Sequence, residues 1–146
     1  MGAKELYDVD FFEWTQQNAE LLRRGCLDAA DIEHIAEELE DMGKSNRREV
    51  RSFLRRLIMH LLKWQVQPTF HCASWQSSIK DSRVQLKDLF ADSPSLKRIA
   101  AQSIAEIYPD AVGLASTETG LDLNRFPPEC PYTFDQLLDP DYLPDG

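Results

Sequence analysis

The side chains best suited to chemistry are concentrated in residues 47–75, RREVRSFLRRLIMHLLKWQVQPTFHCASW. This stretch holds half of the arginines, two of the three histidines and two of the three tryptophans. A histidine can transfer protons near neutral pH, and an arginine binds phosphate or carboxylate through its planar fork. Acid–base chemistry and anion binding are therefore the first functions to consider.

A polar pocket around His60 is one hypothesis for such a site. A carboxylate such as Glu37 could form an acid–base pair with His60, and Trp64 lies off the main apolar stripe beside Lys63. The alternative is that His60 is a hydrogen-bonded residue at the edge of the core and that the large aromatic side chains pack inside it. The full candidate set for a ligand or a partner is Glu37, Glu40, Arg56, His60, Lys63, Trp64 and Trp75.

Nucleophilic catalysis and phosphate cradling have less support. His71 and Cys72 are adjacent, and adjacent side chains in a loop seldom align as base and nucleophile. The sequence contains no nucleophile elbow, no Walker A loop and no dinucleotide-binding fingerprint. We therefore favour a non-enzymatic protein over an enzyme.

A metal site is the remaining chemical alternative. The chain has one Asp31-x-x-His34 motif, whereas di-iron bundles use two Glu-x-x-His motifs and two further carboxylates. A mononuclear site from His34, Glu38 and His60 is conceivable across a pair of helices. We expect instead that His34 is a surface residue on an acidic helix, and that the protein holds no metal and no cofactor.

The charge is strongly segregated along the 146 residues, which carry a net charge of −9. Residues 1–46 carry 4 basic and 12 acidic groups, residues 47–63 carry 6 basic and 1 acidic, and residues 106–146 carry 1 basic and 9 acidic. An acidic protein disfavours direct nucleic-acid binding and anionic membrane surfaces. The basic stretch either lies against the acidic N-terminal and C-terminal segments of the same chain or binds an external anion, and we favour internal pairing.

The three cysteines indicate a reducing compartment. Cys26, Cys72 and Cys130 are far apart and odd in number, so neither a disulfide framework nor a thiolate zinc site is expected. The first residues, MGAKELYDVDFFEW, do not form a signal peptide, and no run of about 18 apolar residues exists. A cytoplasmic location without membrane association is the resulting expectation.

Helical periodicity dominates the first 120 residues, and no strand-like alternation is present. The first predicted helix covers residues 10–24, with Asp10 and Glu13 as its cap and Gly25 as the left-handed residue after it. The second begins at Asp28 or Asp31, the third has an apolar stripe from Val50 to Gln65, and the fourth covers residues 74–90. A fifth helix opens at Ser93-Pro94, is kinked or interrupted at Pro109, and runs to Gly120. The second and third helices are either separate or one kinked helix through Gly43. The pattern predicts an all-α, up-down bundle of four to five main helices.

The composition changes after Gly120. The segment FPPECPY is extended, because each proline fixes its own φ and restrains the residue before it. Thr133 and Gln136 form a capping box for one short helix. Residues 121–146 are therefore predicted to wrap the bundle as an extended segment, within a single domain of residues 1–146.

The chain is similar to a bacterial family of helical proteins catalogued as domain of unknown function 29. The resemblance covers nearly the whole chain and implies a single helical-bundle domain. It implies no established activity, cofactor or catalytic residue. The matching positions are Tyr7, Asp10, Phe11, Trp14, Ala19, Leu21, Leu22, Arg23 and Gly25; residues 36–40 with Gly43; residues 59–68; Ser74-Trp75; residues 94–96; residues 118–121; and Phe126-Pro127 with residues 130–132.

The function that these observations favour is a small helical module that binds a protein partner or associates with itself. The surplus of aromatic residues and the segregated charge motivate this hypothesis. A small enzyme or ligand-binding protein with a polar pocket around His60 and Glu37 is the alternative.

Overall fold

The computed structural model describes residues 2–145, and within them the regular structure is entirely helical. The all-α helical-bundle fold predicted from the sequence is confirmed. The elements are α1 (Ala3–Val9), α2 (Phe11–Arg23), α3 (Ile32–Val66), a 3-10 turn (Pro68–Phe70), α4 (Ala73–Asp92), α5 (Ser95–Thr119), a second 3-10 turn (Leu123–Arg125) and α6 (Phe134–Leu138). None of these helices has both the length and the apolar composition that a bilayer crossing requires.

The chain divides into two compact units, an N-terminal unit (Met1–Ser45) and a C-terminal unit (Asn46–Gly146). The division falls within α3.

The N-terminal unit contains α1, α2 and the first part of α3. Asp10 caps α2 by accepting a 3.1 Å hydrogen bond from the amide of Glu13, and Gly25 adopts the left-handed conformation after the helix, with φ of 72°. Both features were predicted. The sequence did not reveal α1, because a seven-residue helix has a weak periodic signal and Gly2 provides no side-chain cap.

Helix α3 runs unbroken for 35 residues, from Ile32 to Val66. The second and third predicted helices are therefore one helix that continues through Gly43. Its first part buries little apolar surface: Leu39 and Met42 lie at core-like spacing but are exposed. Helix α3 ends at Val66, because Pro68 disfavours a helical conformation at the residue before it, Gln67.

The C-terminal unit is built on the second part of α3. Its apolar stripe is inaccessible to solvent and packs with residues of α4, α5 and the C-terminal segment in one core. The α3 members of this core are Val50, Leu54, Leu57, Ile58, Met59, Leu61 and Leu62. Helix α5 continues without interruption past Pro109 to Gly120, which adopts a left-handed φ of 72°.

The C-terminal segment contributes buried side chains to the same core, among them Phe126, Tyr132 and Leu137. The capping box predicted at Thr133 is present, with reciprocal bonds between Thr133 and Gln136. Polar contacts hold the segment as well: the Tyr108 hydroxyl donates to the carbonyl oxygen of Pro127 at 2.7 Å.

Two glycine substitutions should change stability in opposite directions. A Cβ at Gly43 would meet no atom within 4 Å in a helical backbone, so Gly43→Ala should stabilise by about 0.5–1 kcal/mol. Gly25 has φ of +72°, so Gly25→Ala should destabilise by about 1–2 kcal/mol although its Cβ also meets nothing. Urea unfolding followed by circular dichroism measures both values. Equal effects of the two substitutions would contradict the backbone assignment.

Candidate functional site

The structure brings Lys63 and Trp75 of the candidate set together in the C-terminal unit. Lys63 is only 6% exposed, and its Nζ lies 3.3 Å from Oε1 of Glu118 and 4.6 Å from the centre of the Trp75 ring. A buried ammonium needs such partners because water no longer solvates it. Glu118 on α5 was missing from the candidate set, since no local pattern connects it to Lys63.

His60 lies one turn before Lys63 and is buried at the edge of the core, which is the packed and hydrogen-bonded alternative raised above. Its Nδ1 lies 2.9 Å from the carbonyl oxygen of Arg56. A carbonyl oxygen can only accept, so Nδ1 carries the proton and Nε2 is left as an acceptor in the neutral ring. Burial lowers the pKa of His60, opposed by this hydrogen bond, and favours the neutral form.

Arg56 and Trp64 have other partners. The Arg56 guanidinium donates to Asp81 at 3.3 Å on the exposed surface. The half-buried Trp64 ring stacks on His71 with centroids 3.6 Å apart, and His71 Nε2 lies 2.6 Å from the Trp64 carbonyl oxygen. His71 is therefore a packing partner of Trp64, and it is not aligned with Cys72 by any hydrogen bond in residues 2–145.

The two acidic members of the candidate set, Glu37 and Glu40, belong to the N-terminal unit. Both are exposed, and neither side chain takes part in a hydrogen bond within the described chain. The proposed pairing of Glu37 with His60 remains a prediction.

A second polar cluster lies inside the N-terminal unit, around Asp31. Its carboxylate is 1% exposed and accepts from the Trp14 indole at 3.0 Å and from His34 Nδ1 at 2.6 Å. The Asp31 amide donates to the side-chain oxygen of Asn18, which is itself buried, at 2.8 Å. Tyr7 stacks on the His34 ring at 3.9 Å and donates its hydroxyl to Glu38. This network joins α1, α2 and α3 through polar contacts.

These contacts shift the pKa values of the cluster. Burial by itself raises the pKa of Asp31, but the hydrogen bonds from His34 and Trp14 outweigh it, so the pKa is lowered. The same hydrogen bond raises the pKa of His34. The bond from Tyr7 to Glu38 raises the pKa of Tyr7 to about 12. Both shifts favour the ionic pair formed by the Asp31 carboxylate and the His34 imidazolium.

The Asp31–His34 pair resembles the orienting half of a catalytic triad, in which a carboxylate holds an imidazole. The other half is not assembled around it, because in residues 2–145 no Ser, Thr or Cys side chain is hydrogen-bonded to His34. No three His, Cys, Asp or Glu side chains of the described chain are grouped so that they could share a metal ion. The contacts that the structure does show for the pair join α2 to the start of α3.

The interpretation of His34 as a surface residue was incomplete, because its ring is only partly exposed and lies between Tyr7 and Asp31. The signal was present in the i, i+3 spacing of Asp31 and His34, which places both on one side of the first helical turn. The contribution of Trp14 could not be inferred, because it depends on the packing of a different helix.

The model of the family described as Domain of unknown function DUF29 matches residues 6–143, and the chain belongs to that family. No curated protein and no solved structure gives a significant match.

Two ion pairs between α3 and α5 should differ in importance. Glu118→Gln removes the negative charge beside the buried ammonium of Lys63 and keeps only a neutral acceptor, so it should lower stability by about 1–3 kcal/mol. Glu106→Gln is the matched control, because Glu106 pairs with Arg51 at 3.0 Å on the exposed surface and should contribute only about 0–1 kcal/mol. Denaturant unfolding of both variants tests the difference; a larger loss in Glu106→Gln would contradict it.

The Asp31–His34 pair should make the stability of the N-terminal unit depend on pH in two directions. The lowered pKa of Asp31 gives stability that is present above the ordinary value of 3.8 and is lost as pH falls through the folded-state value. The raised pKa of His34 gives stability that is present below 6.5 and is lost as pH rises through the folded-state value. Both contributions therefore coexist between 3.8 and 6.5.

Amide exchange of α2 between about pH 2 and about pH 9, corrected for intrinsic rates, measures this dependence. His34→Gln should remove the loss on the alkaline side and weaken the acid-side contribution, because His34 lowers the pKa of Asp31. Asp31→Asn should remove both contributions while keeping an acceptor for Trp14. An unchanged alkaline slope in His34→Gln would show that another group is responsible.

Proposed function

We propose that this protein is a non-enzymatic protein-interaction module whose contact surface is the apolar surface of the N-terminal unit. The observation that supports the proposal is the uneven distribution of exposed apolar side chains. Among residues 2–145, eight of the twelve large exposed ones lie in the N-terminal unit. They are Val9, Phe11, Phe12, Leu22, Leu27, Ile32, Leu39 and Met42.

The N-terminal unit buries little apolar surface of its own. Trp14 is the one large apolar side chain of its described residues that is buried, whereas Phe12 is 70% exposed. Single exposed apolar residues are normal, but a concentration of them is typical of a surface that another molecule covers. Aromatic and Met side chains are also the types enriched in protein interfaces.

Charge defines the kind of partner. The unit carries 12 acidic and 4 basic groups, so its apolar residues are surrounded by negative charge. A partner that presents apolar residues beside lysines or arginines would be complementary, while two N-terminal units would repel each other. A protein with a basic and apolar surface is therefore the proposed partner, met in the cytoplasm, where free thiols are stable.

The alternative of a catalytic or ligand-binding pocket around His60 and Glu37 has less support. The polar side chains nearest to His60 already have partners in the chain, since Lys63 binds Glu118 and Arg56 binds Asp81. The three free cysteines and the histidines show no base–nucleophile hydrogen bond within residues 2–145.

Phe12 and Phe70 offer a matched test, because both are exposed phenylalanines, 70% and 63% respectively, and only Phe12 belongs to the proposed surface. A photoreactive phenylalanine analogue is placed at position 12 in one variant and at position 70 in another. The variant with the analogue at position 12 should form a specific cross-link to the partner, and the other should form none. With the purified partner, Phe12→Ala should weaken binding by about tenfold or more, as expected for an interface aromatic, and Phe70→Ala should have no effect. Isothermal titration calorimetry measures both.

Three results would count against this assignment. Equal weakening by both substitutions would remove the N-terminal unit as the contact surface. Binding that is insensitive to salt would contradict the charge argument. A stable homo-oligomer that Phe12→Ala dissociates, measured by light scattering, would replace the separate partner with a second copy of the chain.

A further inference from the structure

A groove of about 820 Å³ lies in the C-terminal unit. It is bounded by α4, the start of α5 and residues after α6. Its volume falls within the range typical of small-molecule sites. The lining combines apolar side chains with four basic groups and one acidic group, Asp141, although the chain as a whole is acidic.

Arg83 is the feature that distinguishes this groove from an ordinary surface depression. It lines the groove but is only 6% exposed. Its Nε donates to the Leu137 carbonyl at 2.9 Å and its Nη2 donates to the Gln136 carbonyl at 3.1 Å. Within residues 2–145 its Nη1 has no acceptor, and no carboxylate lies within 4 Å of the guanidinium.

A buried guanidinium held by two carbonyl oxygens keeps its charge but lacks a counter-ion. Burial is the largest influence on the pKa of Arg83 and lowers it, while the more distant Asp139 and Asp141 oppose this effect. A guanidinium fixed in this way is pre-organised for an anionic oxygen, because its orientation is already set.

Three lysines add positive charge to the groove, the same sign as the charge of Arg83. Lys80 and Lys87 are seven residues apart on one side of α4, about 10 Å along the helix axis, and Lys97 comes from the start of α5. None of the three forms an ion pair with the described carboxylates. The acidic residues Asp88 and Asp92 of α4 do not line the groove. The positive charge is thus segregated onto the groove side of the helix.

The remaining lining is apolar and belongs to the edge of the core. Ile79 is buried, Phe90, Leu138 and Leu143 are half-buried, and Val84 is exposed between the two lysines of α4. Such a surface accommodates an unbranched hydrocarbon chain, and the lysine stems extend it while their ammonium groups stay in water.

We propose that this groove is a binding site for a single-chain amphiphile with an anionic head group, a carboxylate or a phosphate, whose head pairs with Arg83 and whose chain lies on Phe90, Leu138 and Leu143. A free monomer fits better than a lipid surface, because the net charge of −9 opposes approach to an anionic bilayer. The enclosed guanidinium of Arg83 is also more accessible to a single narrow head group than to the acidic side chains of a partner protein's helix. This site does not depend on the interaction role of the N-terminal unit.

Monomeric decanoate is the probe, titrated into the full-length protein while Ile, Leu and Val methyl resonances are recorded. Saturable shifts should appear at Val84, Leu138 and Leu143 and be absent at Leu27 of the N-terminal unit. Decanol has the same chain without charge and should bind at least about tenfold more weakly, since a charge-assisted hydrogen bond is lost. Decyl phosphate distinguishes the two head groups, and tighter binding than decanoate would support the phosphate form of the proposal.

Variants of exposed residues avoid the risk that loss of Arg83 unfolds the segment it holds. Lys80→Gln with Lys87→Gln, and separately Val84→Asp, should each weaken decanoate binding by about tenfold. Lys4→Gln with Lys44→Gln is the control, because these lysines are exposed and lie in the N-terminal unit. Equal binding of decanol and decanoate, equal effects of the two lysine pairs, or binding to anionic vesicles without monomer binding would each overturn the proposal.

Discussion

The buried side of α3 is the constraint on which the C-terminal unit depends. Six apolar side chains between Val50 and Leu62 have no exposed surface, and burial of each contributes about 1.5–3 kcal/mol relative to exposure. Helices α4 and α5 and the C-terminal segment take their positions by covering this stripe. Because α3 is a rigid helix, its burial also fixes which polar residues on its flanks must lose water. His60 and Lys63 are buried for this reason, and each needs a partner inside the chain.

The ion pairs of α3 follow from the same geometry. Arg51, Arg56 and Lys63 lie beside the apolar stripe and face carboxylates on α4 or α5. The first two pairs are exposed and add about 0–1 kcal/mol each, so they refine the helix arrangement without determining it. The Lys63–Glu118 pair is different because its cation is buried, and a missing partner would cost more than the pair gains. Of these three internal ion pairs, Lys63–Glu118 is therefore the one expected to matter for the stability of the fold.

What the sequence could predict was set by local physics. The stripe of α3, the cap at Asp10 and the capping box at Thr133 each depend on residues within one or two helical turns, and all were predicted correctly. Helix α1 could not be inferred, since Tyr7 holds it through contacts with His34 and Glu38 about 30 residues away. Arg83 is similar: its partners Gln136 and Leu137 lie more than 50 residues along the chain. Periodicity predicts which side of a helix is apolar, but it does not predict what covers that side.

The two parts of α3 show that an apolar stripe alone does not determine whether its side chains are buried. Leu39 and Leu57 lie on apolar stripes of similar spacing, yet Leu57 is inaccessible and Leu39 is 62% exposed. The N-terminal unit supplements its small core with the hydrogen bonds of Asp31, which join α2 to the start of α3, and with the contacts of Tyr7, which join α1 to α3. A unit held together by buried polar contacts can keep its apolar side chains exposed and ordered before a partner arrives. Such pre-organisation lowers the entropic cost of binding. It explains how a unit with one large buried apolar side chain among its described residues could serve as a rigid contact surface.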